Sequence, residues 1–203
     1  SGAMTYTTTG TNNIAIGTNA GHRITTGNRN IAIGNEAFDS IGDGSVDDNL
    51  AIGYRAISSS SLNDAEKNIA IGNYVMDAIT SGDYNVGIGY DALTDNTEGD
   101  FIAALGYNAL TNNTTGDNNT ALGSATLMYN TTGAKNTAVG MNSSNNITTG
   151  SQNTTLGNES GTVLTTGSYN VVLGEGAETS ANNSTNQIVI GYNATGTGNN
   201  EIA

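Results

Sequence analysis

The chain holds one histidine, His22, next to Arg23, and it has no cysteine. A Ser-His-Asp arrangement needs a base held against a nucleophile. Neither a nucleophile elbow nor a structured base can be read around His22, which is expected in a surface turn. Without Cys, thiolate chemistry and disulfides are excluded. Carboxylates are the abundant titratable groups, eighteen Asp and Glu against five Lys and Arg, for a net charge of −13. Thirteen of the eighteen lie between Glu36 and Asp100, most densely at Asp39, Asp43, Asp47 and Asp48, then Asp64 and Glu66. Clustered carboxylates suit hard cations, so in a trimer these acids could form a calcium site. Asp43–Asp48 nevertheless lacks the EF-hand spacing, and the glycine-and-aspartate nonapeptide of calcium-binding rolls is absent. A glycoside hydrolase needs a carboxyl pair at a defined separation, whereas these acids scatter through turns as solvated loop acids do. Aromatic residues are 5% of the chain with no Trp, which leaves little for stacking on sugars. The expectation is a protein without catalysis and without a resident cofactor or metal.

The elements that position these residues are set by a repeat. Isoleucine-alanine-isoleucine-glycine occurs at Ile14–Gly17, Ile31–Gly34 and Ile69–Gly72, with looser copies downstream. The anchor glycines are Gly17, Gly34, Gly53, Gly72, Gly89, Gly106, Gly123, Gly140, Gly157, Gly174 and Gly191. Two spacings are 19 residues and the other eight are 17. Counted from the anchor as zero, position −1 is Ile, Leu or Val, −2 is mostly Ala, and −4 is mostly Asn, as at Asn119 and Asn136. Position +4 is often large and apolar (Phe38, Ile57, Met76, Leu93, Leu110, Leu127), and +10 is Gly in most units, with Asn63 an exception that tolerates a left-handed turn. Both 19-residue units are read as carrying extra residues after +10, in Ser45–Asp48 and Asp64–Lys67. Such insertions map to loops on one face.

A 17-residue unit is too short for a helix pair, and Gly, Asn and Thr, over 40% of the chain, are poor helix formers. The unit suits one coil of a β-solenoid with two short strands and two turns. Period-2 alternation from −4 to −1 predicts a two-faced strand. The apolar −3 and −1 positions are expected to face the interior, and Asn −4 and Ala −2 the outside. Asn at −4 would then bond its neighbours as an amide ladder. The fold class is all-β: a parallel solenoid of about eleven coils in one domain over 5–203. Ser1–Met4 reads as an expression scar. Three apolar side chains per coil make a thin core, and a flat row of Ala at −2 invites sibling chains, so a trimer is expected.

The Asn-x-Ala-Ile-Gly-x-x-Ala pattern resembles the head repeat of trimeric autotransporter adhesins, whose heads are trimers of left-handed parallel β-rolls. The longer unit Gly106–Gly123 is similar to repeats in bacteriophage tail fibres. The resemblance covers residues 10–203, although the adhesin head unit is typically shorter than 17. It implies a homotrimeric fibre, on a virion or outside a cell, that contacts a polysaccharide or protein receptor on a host. A tail fibre is the leading reading and a bacterial adhesin head the alternative.

Other classes are weaker. The acidic balance argues against nucleic acid, no run approaches the ~18 apolar residues of a membrane span, and no secretory signal is read at the N-terminus. Thr-Thr-Gly strings, as at Thr114–Gly116, could bind ice only as a flat outward array, and their Thr are adjacent. A polysaccharide depolymerase is the remaining alternative. Tyr54, Tyr90, Tyr107 and Tyr192 at +1 are expected to stack as a structural ladder. Because recognition concentrates in loops on rigid scaffolds, the partner-binding residues are expected at Asp43, Asp47, Asp48, Asp64 and Glu66.

Overall fold

The computed structural model describes residues 2–5, 8–39, 46–59 and 61–202. Each coil contributes one three-residue strand, from β1 (Ile14–Ile16) through β5 (Val86–Ile88) to β11 (Ile188–Ile190). The strands stack in chain order into a single parallel sheet of eleven. Register follows the repeat, so Ile14, Ala15 and Ile16 face Ile31, Ala32 and Ile33. The protein is an all-β parallel solenoid, with no helix and no second named strand in a coil among the described residues. The expected second strand is replaced by turns whose backbone groups bond the next coil, as Thr114 N does to Thr131 O at 2.9 Å. Met4 joins this register, its N–H donating to Ala20 O.

The two strand faces are the reverse of the expectation. The −2 row is inside: Ala32, Ala51, Ala70, Ala104, Ala121 and Ala138 are fully buried. The −1 and −3 residues point out, with Ile16 59%, Leu105 48%, Leu156 54% and Ile190 58% exposed. Alternation establishes two faces without saying which is inner. Ala fills this inner row in most coils, and Thr155, Val172 and Val189 fill it near the C-terminal end. The larger core side chains come from the turns, chiefly from rows +4 and +7. In six coils these rows trade volume: Leu93, Leu110 and Leu127 are followed three residues later by Asn96, Asn113 and Asn130, whereas Gly21, Ser144 and Gly161 are followed by Ile24, Ile147 and Leu164; Met76 and Ile79 are both large and buried.

The buried +4 residues Phe38, Ile57, Met76, Leu93, Leu110 and Leu127 have φ between 51° and 55°. Positions +2 and −5 are left-handed too, as at Asn108 and Asn118. Asn suits that backbone and branched Ile57 does not, so core burial holds Ile57 there. Anchor Gly106 has φ 143°, and a Cβ on it would lie 2.6 Å from the carbonyl carbon of Gly123. Glycine at +10 has another cause. Neither Gly116 nor Asn63 is left-handed; a Cβ on Gly116 would crowd Gly133 O and lie 2.7 Å from Asn113 Oδ1.

Asn at −4 also points inward, and its row does more than pair amides. Asn136 Oδ1 accepts the Asn153 N–H at 3.0 Å, and its Nδ2 donates to Gly150 O at 2.8 Å. Asn119 likewise accepts from Asn136 N at 2.9 Å and donates to Gly133 O at 2.7 Å. Each buried amide thus satisfies two main-chain groups of the following coil, in an interior with few other partners for them.

Candidate functional site

The expected loop acids divide. Asp43 lies outside the described residues. Asp47, Asp48 and Glu66 belong to regular rows rather than an insertion. Asp47 Oδ1 accepts the Asn28 N–H at 2.7 Å. Arg29 donates through Nε to Asp48 Oδ1 at 2.6 Å and through Nη2 to Oδ2 at 2.8 Å. That pairing holds the Asp48 carboxyl below its usual range and raises Arg29. Lys67 Nζ donates to Glu66 Oε2 at 2.7 Å and sits 4.9 Å from the Tyr84 ring centre, so its pKa is raised. Asp64 has a left-handed backbone, φ 63°. Glu66, Asp83, Asp100 and Asp117 line up on successive coils. The N–H of each of the first three donates to the carboxylate of the next, at 2.7, 2.7 and 2.9 Å. Burial raises the Asp83 pKa, and the neighbouring Asp100 and Glu66 add to it. These acids therefore hold coil to coil.

Register shows where the longer coil is longer. Asn49 Nδ2 donates to Ala65 O, as Asn68 Nδ2 does to Gly82 O, so Ala65 stands in the glycine row. Asn63 N donates to Thr80 O at 2.6 Å, and Leu62 is buried like Ile79. On the other side, Ile57 N donates to Val75 O, the usual +4 bond. The chain thus has four residues between Ile57 and Leu62 where the next coil has only Asp77 and Ala78. The extra residues are in the serine run and not in Asp64–Lys67. Val46 likewise occupies the glycine row, accepting from Asn30 Nδ2 at 2.6 Å, which moves the preceding coil's extra residues ahead of it.

A cavity of about 300 Å³ opens at this serine run, lined by Arg55, Ser58, Ser59, Asp77, Thr94 and Asp95 among others. Arg55 Nη2 lies 3.4 Å from Asp77 Oδ1. Burial lifts the Asp77 pKa, and Arg55 opposes the shift. Burial and then Asp95 lift that of Asp91. Counting back from the following anchor glycine would have placed the insertion at 58–61. The cavity itself has no sequence signal.

Other expectations fall as follows. His22 is only 15% exposed and its Nδ1 is 3.0 Å from Asp39 Oδ1, so it is held between coils and not free in a turn. The Thr at +8 from Thr80 to Thr165 spend their hydroxyls on the next coil, as Thr114 Oγ1 does on Thr131 O at 3.0 Å. Tyr90 and Tyr107 stack at 5.7 Å, and Tyr74, one position off the expected row, bridges Tyr54 and Tyr90 edge-on. Among the described residues, no group of three or more His, Asp or Glu could hold a metal ion, and no helix is long and apolar enough to cross a membrane. No protein-family model, curated protein or solved structure matches the chain.

Proposed function

We propose that this solenoid is a structural and host-attachment segment of a homotrimeric fibre, of the kind carried on bacteriophage tails. The observation that supports it is the outward strand face. Ile16, Leu105, Leu122, Leu156 and Ile190 stand exposed in the −1 row, with Ile14 and Ile69 exposed beside it at −3, along a chain with net charge −13. Exposed Tyr84, Phe101 and Tyr169 flank these rows on one side, and Tyr90 and Tyr107 on the other. Contiguous exposed apolar surface marks association sites, and aromatic residues are enriched in them. Copies of this chain are the natural cover, because an in-register sheet presents the same rows to each sibling, and three around an axis enclose three such faces. The expectation that Ala at −2 forms the contact is replaced by contact through the branched −3 and −1 residues. The Asn-x-Ala-Ile-Gly strand motif keeps a bacterial adhesin head as the second reading, with the same assembly. A rod of this kind holds a receptor-binding surface away from a virion or cell.

The test is direct binding. Fluorescently labelled protein should bind a candidate bacterial host saturably and compete with virion adsorption. Absence of binding to every strain that the parent virion infects would contradict host attachment.

A further inference from the structure

The chain has four residues between Ile57 and Leu62 where the neighbouring coil has two, and a cavity lies there with Ser58, Ser59 and Ser61 in its lining. Arg55 offers donors, Asp77 and Asp95 offer acceptors, and Ser58, Ser59 and Ser61 supply hydroxyls, while the Thr94 hydroxyl is donated to Tyr74 O at 3.0 Å. Ser59 is 3% exposed. Arg55 Nε and Asp77 Oδ1 are both buried without a hydrogen-bond partner, although the two side chains lie within ion-pair distance. Buried polar atoms of this kind call for a partner.

The lining selects the ligand class. Two carboxylates stand against one guanidinium, with Glu36 3.9 Å from Arg55 Nε and the charge of Asp91 acting on Asp77. This disfavours anions. No group of three acids forms a cation cage among the described residues. Ala78 is the one apolar side chain of the lining, too little for an aliphatic or aromatic ligand. A molecule with adjacent hydroxyls, each able to donate and accept, can use the donors and the acceptors of this lining at once. At about 300 Å³ the cavity is at the small end of ligand sites, room for one or two sugar rings without aromatic stacking. Its lining lies at +2, +5, +6 and +8, off the apolar strand face, so assembly on that face leaves it open.

We propose that the cavity formed by Arg55, Ser58, Ser59, Ser61, Asp77 and Asp95 binds a neutral or amino-substituted sugar unit of a glycan. It rests on the fibre reading for the biological source of that glycan, and on the cavity alone for the binding. The full chain is tested by saturation-transfer NMR and calorimetry against glucose, galactose, mannose, N-acetylglucosamine, glucosamine and glucuronate. At least one neutral or amino sugar should receive saturation, and glucuronate should bind more weakly. Asp77→Asn, and separately deletion of Ser58 and Ser59, should weaken that sugar by about tenfold or more, because a buried polar partner is lost. Asp95→Asn, at the exposed rim, gives the same readout if either variant fails to fold. No saturation on any sugar, or equal affinity in all folded variants, overturns the proposal. If the folded variants still adhere to host cells while sugar binding is absent, the cavity inference fails and the fibre reading stands. Sugar binding without adhesion is the reverse outcome.

Discussion

Val75 sits where it does because residue 87 is glycine: a Cβ on Gly87 would lie 2.7 Å from Val75 Cγ1 and 3.1 Å from Met76 Cε. Gly87 is the one glycine in the −2 row, and Val75 the one valine in the +3 row. The interior of this coil is filled from the turn instead of the strand. Gly87→Ala should destabilise by about 1–3 kcal/mol through overpacking. Val75→Ala in the same chain should recover most of that loss, although alone it costs stability. Thermal melts of the single and double variants give the coupling, and additive losses would contradict the contact.

The anchor glycines should not be equivalent. Gly106 and Gly191 share the same backbone, φ 143° and 139°. At Gly106 a Cβ meets the Gly123 carbonyl, whereas at Gly191 the nearest atom is Ala194 Cβ at 3.5 Å. Gly191→Ala should therefore cost only the backbone strain, about 1–3 kcal/mol. Gly106→Ala should cost clearly more, and Gly106→Val should lower the melting temperature further or abolish soluble protein. Equal melting temperatures for the two Ala variants would contradict the stacking account.

The buried amide row should be intolerant of small change. Asn136→Ala leaves the Asn153 N–H and the Gly150 carbonyl without their partner, at a cost of about 2 kcal/mol or more. Asn136→Asp keeps the acceptor but loses the donor and buries a charge, so it should be no better. Hydrogen exchange at the Asn153 amide should accelerate in both. An unchanged protection factor would remove the role given to Asn136.

Acid should stabilise the solenoid at first. Asp77, Asp83 and Asp91 have folded-state pKa values raised mainly by burial. A raised acid pKa means that the charged form is disfavoured in the folded state. The penalty is complete above the folded pKa and is relieved as pH falls toward the unfolded value. The melting temperature should therefore rise as pH falls from neutrality toward the ordinary Asp value of about 4. Asp48, held low by Arg29, acts in the opposite sense, with its contribution lost only as pH falls below the ordinary Asp range. Differential scanning calorimetry across this range checks the sign, and a steady decline in melting temperature would contradict it.

The period, the anchor glycines and the Asn −4 row were legible because each repeats at one spacing. Which strand face is inner was not. Ile-Ala-Ile reads as apolar throughout, and the usual preference for burying Ile over Ala points the wrong way where Ile stands on the outer face of the coil. The left-handed Phe38 and Ile57 carry no local signal, because their conformation opposes their intrinsic preference. The insertion was misplaced by counting forward from Gly53 to Asn63; Leu62 and Ala65, apolar residues in a core row and in the glycine row, were the clues. The sugar cavity depends on that register and was therefore out of reach.

The central claim is that the outward Ile, Leu and Val rows are covered by sibling chains. The most direct test is the mass in solution, by light scattering coupled to size exclusion at micromolar concentration. The account predicts three times 20.6 kDa for the native chain. It also predicts a smaller species for Leu105→Asp with Leu122→Asp, whose side chains stand 48% and 38% exposed in the isolated coil. A native chain that runs as a 20.6 kDa monomer would contradict the account.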